Sequence, residues 1–411
     1  MKHLCLSVLL DYFHKQIFGN LAQENSATSM NALRLVFSDL RYFTPVFLFA
    51  TLNVLFGTWA IYIPEITGKL AISEGELGFA VFFMALGTLC TIPFVPRFIK
   101  NIGLGKAVLF AVIGFCVLII QPFLASTYVL LCASLFGGGI FSGLLDVTIN
   151  TLVTEIERRD NVHFMSVSHG FFSLGGMLGA GVGSLLMPFI ALPKWHIAGV
   201  SVLLILINLI LCKHYFSIKA ATHEETSSFK LKNLRPLVGL ALIGFLVMAA
   251  EGAIVDWSAL YLEKVTLAAA TLVGLGYTIF NGTMALGRFF GDSISARFGS
   301  RFIMIVGCFV ATLGFALVLA GITAVALIGF GFVGIGLSIV VPELFRYSGN
   351  LKGIHASEGI SFIAGTGFVG LLLGPVFLGF LAETFSLKGS FIALLSFTFI
   401  AALVALSLKR N

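Results

Sequence analysis

Four ionisable side chains stand in the middle of long apolar runs: Asp146, His169, Glu251 and Asp256. A charge inside hydrocarbon costs about 3 kcal/mol or more, so such a residue is expected to face a hydrated cavity and to act on a proton or a solute. Asp146 precedes Arg158 by twelve residues and His169 follows Arg159 by ten. At about 1.5 Å per residue these are depths of about 18 and about 15 Å. The two therefore share a level, and a hydrogen bond between them would hold a proton whose position depends on solute. Equally, each would satisfy a buried backbone or serine group.

Glu251 falls near the centre of its run, with Asp256 one and a half turns further along, and their directions differ by roughly 140°. They cannot both face one narrow groove. Glu251 joins Asp146 and His169 as a proton-coupling residue, and Asp256 is left for an outer gate or a solute contact. Asn53, Asn150 and Asn281 offer donors and acceptors at mid-run, which suits hydroxyl recognition and interhelical hydrogen bonding alike. Asn150 lies one turn from Asp146. Trp59 and Trp257 occupy comparable places and either stack on a planar-faced ligand or mark membrane interfaces. The expected solute contacts are thus Asn53, Trp59, Asn150, Asp256, Trp257 and Asn281.

Some chemistry is missing. The sequence holds no G-x-x-x-x-G-K-[ST] loop, no H-E-x-x-H pair and no G-x-S-x-G elbow, so neither ATP hydrolysis nor a metal centre nor any cofactor is expected. The six cysteines include no C-x-x-C pair and read as small packing residues. An enzyme is not expected.

The elements that must position these residues are membrane helices. Of 411 residues, 58% are hydrophobic and 11% charged, at a mean hydropathy of +1.03, whereas soluble domains carry about 25% charged residues. Twelve apolar runs of about 20 residues succeed one another, near 44–64, 77–96, 105–124, 128–153, 165–190, 195–212, 237–262, 271–290, 302–320, 323–342, 359–382 and 388–408. They lack the polar–apolar alternation of a transmembrane barrel.

Residues 1–43 form an expected cytoplasmic tail, its apolar stretch Leu4 to Leu10 being short even for a signal peptide, and Met30 is an alternative translation start. With both ends on one side, every Lys and Arg except Lys69, Lys194, Lys264 and Lys388 falls on that side, which is therefore cytoplasmic. The net charge of +6 thus records orientation in a bilayer rather than affinity for nucleic acid. The hydrophilic stretch 213–236 separates a six-span half at 44–212 from another at 237–408, with a cytoplasmic end at 409–411.

The halves repeat. Met84-Ala85-Leu86-Gly87 recurs as Met284-Ala285-Leu286-Gly287 and Arg97-Phe98 as Arg297-Phe298, each at an offset of 200. Two six-span halves in the same orientation form the parallel repeat of one transporter architecture, with a cavity at their interface and halves that rock. Glycine ridges at Gly175, Gly179 and Gly183, and at Gly370, Gly374 and Gly379, allow either close packing or sliding.

The segment from Gly287 to Arg301, which reads G-R-F-F-G-D-S-I-S-A-R-F-G-S-R, closely resembles the signature loop of the major facilitator superfamily. Its counterpart in the first half is degenerate, with Pro93 and Pro96 in place of the acid while Arg97, Gly103 and Lys106 survive. The resemblance implies the twelve-helix, two-half fold of that superfamily, an all-α membrane protein. It also implies a conformational switch in Gly287, Arg288, Gly291, Asp292, Arg297, Gly299, Arg301 and Arg97, where Asp292 caps a helix end and the arginines pair across the cytoplasmic face. Simple positive-inside anchoring also accounts for the arginines.

Asp146 to Asn150 is similar to the acidic-x-x-x-Asn element of the fucose/glucose-galactose permease branch, whose acid takes a proton and contacts sugar. That branch carries an Asp before a proline like Pro64, whereas this chain reads Thr58-Trp59-Ala60. Ser168 to Gly176 and Trp257 to Leu262 resemble the YbjJ-like inner-membrane carriers. The expected protein is a monomeric, proton-coupled secondary carrier of a small polar solute, sugar-like first, in a bacterial inner membrane. A multidrug or metabolite exporter is the alternative within the same class, and a polytopic membrane enzyme or receptor lies outside it.

Overall fold

The computed structural model describes residues 26–190, 192–218, 235–349, 351, 354 and 356–408, without the side chains of 26–31, 235, 292, 293, 296, 356 and 357. Among these residues every regular element is a helix. In the first half the long helices are α1 (Leu40–Ala60), α2 (Glu74–Thr91), α3 (Leu104–Leu118), α4 (Tyr128–Asp160), α5 (Met165–Leu186) and α6 (Pro193–Leu211). In the second they are α7 (Val238–Lys264), α8 (Leu275–Phe298), α9 (Ser300–Val318), α10 (Thr323–Leu337), α11 (Ala356–Thr384) and α12 (Leu387–Ser407). Eleven of these crossings are long and apolar enough to span a bilayer. The twelfth, α8, has 24 residues but carries Arg288, Asp292 and Arg297.

Short polar signals start and stop these helices. Asp39 accepts from the Arg41 N–H at the start of α1, and Ser73 forms a reciprocal capping box with Glu76 at the start of α2. Thr127 caps α4, which Asn161 ends in the left-handed region. Gly103 before α3 and Gly299 before α9 share a backbone conformation, φ 88° and ψ 149° against φ 76° and ψ 154°, that side chains resist.

The packing obeys the repeat. Contacts of α1 with α5, α2 with α4 and α3 with α4 recur as α7 with α11, α8 with α10 and α9 with α10. Buried Ala111 and Phe115 of α3 have counterparts in buried Ala311 and Phe315 of α9, at the offset of 200 seen in sequence. The halves meet along α5 with α8 and α2 with α11, a pair of seams that also exchange under the repeat.

The glycine ridges pack helices within each half. A methyl group on Gly175 or Gly179 would collide with the backbone of Ala50 or Val54 in α1, and one on Gly370 with that of Phe245 in α7. At Gly78 and Gly379 the same absence of a side chain lets α2 and α11 touch across the seam.

Three boundaries differ from the apolar runs. A helix Ser26–Ser38 precedes α1 inside the expected tail, burying Val36 and packing against α1 and α8. The α4 helix continues to Asp160 because Glu155 holds Arg158 and Arg159, at 2.7 and 2.8 Å, and Asp160 holds Arg41 at 2.8 Å. The α8 helix continues to Phe298 through charged residues. Hydropathy alone stops at charge, whereas a helix stops only where its backbone bonds lose partners.

Candidate functional site

The seam between α5 and α8 carries two polar networks. In the first, Asn53 of α1 donates to the Phe172 carbonyl of α5 at 2.9 Å and to Asn281 Oδ1 of α8 at 3.3 Å. Tyr277 donates its hydroxyl to Asn53 Oδ1 at 2.9 Å, and Asn281 donates back to the Tyr277 carbonyl. All three side chains are buried. The latch fits because a side chain on Gly176 would collide with both amides. Asn53 and Asn281 are therefore committed to each other and to Tyr277 in this conformation.

In the second network, Arg288 of α8 donates through Nη2 to Glu251 Oε1 of α7 at 2.9 Å and through Nη1 to Ser173 Oγ of α5 at 2.8 Å. A looser contact, 3.4 Å, runs from Nη1 to the His169 carbonyl. The Arg288 side chain is 13% exposed and that of Glu251 25%. His169 is half-buried, with its ring 5.0 Å from that of Phe49. Phe171 and Phe289 face each other across the same seam at 5.9 Å, in the space that Gly170 leaves free.

Asp146 and Asn150 form a third, smaller pair on α4. The Asn150 amide donates to the Asp146 carbonyl at 2.8 Å and to its Oδ1 at 3.2 Å, and both residues are half-buried. The expected hydrogen bond from Asp146 to His169 is not formed: the acid bonds along its own helix, and the His169 ring turns to Phe49. Asp256 is buried with no hydrogen-bond partner among the described residues. Trp59 and Trp257 are 1% and 0% exposed; Trp59 meets Phe123 edge-on at 5.8 Å, and the Trp257 Nε1 has no partner among the described residues. Both indoles are enclosed by the helix packing.

The signature segment is divided. Arg288 lies eleven residues before Gly299, about 16 Å inside the helix end, and reaches the Glu251 network instead of the loop. Gly287 packs against Ser338 and Gly291 against Ile339, both at the tail-side end of the α8–α10 contact. Arg301 donates to the Leu406 carbonyl at 2.6 Å and Arg297 lies over the Phe298 ring at 5.4 Å. Arg97 is exposed, six residues before Gly103, whereas Arg297 is two before Gly299; one extra helical turn separates the equivalent arginines. The side chain of Asp292, expected to cap a helix, lies outside the described residues.

Sequence reasoning passed over Tyr277 and Ser173. Both had a signal: Tyr277 precedes Asn281 by four residues and Ser173 follows His169 by four, so each pair shares a helix face. On the face away from the chain ends, Lys264 of α7 binds Glu74 of α2 at 2.7 Å, and Gly274 packs against Ser184 and Ile61. Beside them, Glu76, Tyr128, Phe380 and Glu383 line an open groove of about 600 Å³.

A family model described as Major Facilitator Superfamily matches residues 46–342. The chain is 29% identical over 364 residues to the uncharacterised transporter y4wD of Sinorhizobium fredii, covering 87% of this chain and 95% of that one. It is 25% identical to the membrane protein MosC of Rhizobium meliloti, covering 87% and 88%. Among solved structures, the nucleoside transporter NupG superposes with a TM-score of 0.73 at 12% identity, over 90% of this chain and all of that one. An inward-facing, unoccupied bacterial homologue of the human lysosomal transporter Spinster gives 0.71 at 15%, over 91% and 99%. At these identities the structural likeness speaks for the fold.

Proposed function

The chain belongs to the Major Facilitator Superfamily of membrane transporters, and within it we propose a proton-coupled carrier that moves a small polar metabolite by alternating access. The observation that carries this reading is the polar seam: charged and amide groups from α1, α5, α7 and α8 meet at mid-depth between the two halves. Such groups are costly in a bilayer unless they serve a pathway. Asp146 with Asn150, and Glu251 beside His169, are the proton-coupling groups; Asn150, being half-buried, is the first solute contact, with Asp256 as an outer gate. Asn53 and Asn281 become solute ligands only if rocking opens their latch, and Trp59 and Trp257 shape the wall behind them.

Contacts between Lys264 and Glu74, and of Gly78 with the Pro375 backbone, close the face away from the chain ends. We read that face as external and the state as open to the cytoplasm, with both termini inside and the signature residues Asp292, Arg297 and Arg301 at the mobile edge. The chain works as a monomer in a bacterial inner membrane. The segments around Ser168 and Trp257 support a YbjJ-like grouping, and a hydroxylated solute is the first class to screen.

Proton-gradient-driven accumulation in proteoliposomes tests the proposal. Asp146→Asn is expected to lower accumulation at least tenfold, about 1.4 kcal/mol of coupling, while leaving exchange of solute measurable. Undiminished accumulation removes Asp146 from the coupling path.

A further inference from the structure

We propose that Arg288 is a carboxylate seat: an anionic solute entering between the halves takes the guanidinium from Glu251, which leaves as its neutral acid, so that one carboxylate and one proton travel together. This rests on the carrier reading above and names its substrate class.

The geometry supports exchange better than a fixed ion pair. Arg288 has five N–H donors, and among the described residues they serve one oxygen of Glu251, one of Ser173 and, loosely, the His169 carbonyl. Glu251 uses a single oxygen and is the more exposed partner, 25% against 13%. The tail-side Glu155 behaves differently: it holds two arginines with both oxygens and is 6% exposed. A side chain that is half engaged and a quarter exposed can swing away. Because Ser173 belongs to α5 and Glu251 to α7, a carboxylate on the guanidinium would lie on the seam itself, where both halves reach it.

Charge selects the solute. A lone guanidinium at mid-depth is expensive, so an anion must accompany it in every state. Glu251 supplies that anion in the empty carrier. A neutral solute gives Arg288 no reason to release it, whereas a monocarboxylate replaces charge for charge and its fork geometry matches the guanidinium. Once Glu251 takes up a proton from the medium on the side the solute came from, the loaded site is neutral and can be occluded. A doubly charged phosphate would leave the site negative, which argues against it.

The test uses full-length Glu251→Ala in nanodiscs and reads the thermal unfolding midpoint at constant ionic strength. Removing Glu251 is expected to lower the midpoint, and sodium acetate at tens of millimolar to restore it by occupying the vacated seat, with acetamide giving no recovery. The double variant Glu251→Ala/Arg288→Gln should show no response to acetate. Equal effects of acetate and acetamide, no recovery with either, or a persistent response in the double variant overturn the seat. If Glu251→Ala does not fold, Glu251→Ser gives the same comparison, since its short side chain also vacates the seat. Gradient-driven accumulation by the wild type is read separately. Accumulation without an acetate response removes the seat and keeps the carrier, and an acetate response without solute flux does the reverse.

Discussion

Tyr277 shows how much one hydroxyl can hold. It donates to Asn53 across the seam, and Asn53 passes the connection to Phe172 and Asn281, so one buried O–H joins α1, α5 and α8. Tyr277→Phe leaves the Asn53 oxygen without its donor inside the protein, a loss of about 1–3 kcal/mol. The expected outcome is a lower unfolding midpoint and a larger fraction of the other conformer, read as altered thiol labelling of a cysteine placed at Phe289; an unchanged midpoint would show that the hydroxyl finds another partner. Arg288→Lys keeps the charge but loses the planar fork that spans Glu251 and Ser173. It should reduce transport by roughly tenfold or more, as expected for about 1.4 kcal/mol of lost recognition, measured as initial uptake rate in proteoliposomes.

At the scale of elements, the helix Ser26–Ser38 is more than a tail. It buries Val36, sets the Phe37 ring tilted against those of Phe43 and Phe171 at 6.0 Å each, and touches both α1 and α8. Of its described side chains, Ala32, Leu33, Leu35 and Val36 join the apolar core; a chain started at Met30 keeps all four and should unfold at the same temperature as the full-length one, while removal through Ser38 should lower stability by about 2 kcal/mol, roughly one fully buried side chain. Unfolding midpoints of the two truncations decide this. The α1–α5 contact is sensitive in the opposite sense, to added bulk. Gly57→Val would drive a side chain into the Gly176 carbonyl and the Ala180 amide. Overpacking of this kind costs about 1–3 kcal/mol, and the yield of folded protein in detergent should fall accordingly.

For the whole molecule, alternating access requires the face closed by Lys264 and Glu74 to open. Cysteines at these two positions, joined by a short thiol-reactive crosslinker, should stop transport while leaving thiols on the chain-end side open to labelling; transport that survives complete crosslinking would rule out rocking about this seam. Salt should matter less to the Arg288 pair, whose cation is 13% exposed, than to Lys264–Glu74, whose cation is 44% exposed.

Composition and spacing by themselves determined that this chain is a bundle of membrane helices in two related halves, because burial of backbone in hydrocarbon forces helices and the repeat is written at a fixed offset. They also marked Asp146, Asn150, Glu251 and Asn281 as unusual, since a polar group in an apolar run is visible in one dimension. Partner choice was not visible. That Glu251 meets Arg288, that Asn53 meets Asn281 across 228 residues, and that both tryptophans turn inward depend on which helix faces pack together. Such pairings arise from crossing geometry and glycine clearances between helices distant in sequence. A hydropathy pattern fixes how deep a residue sits; only the packed seam decides what it touches.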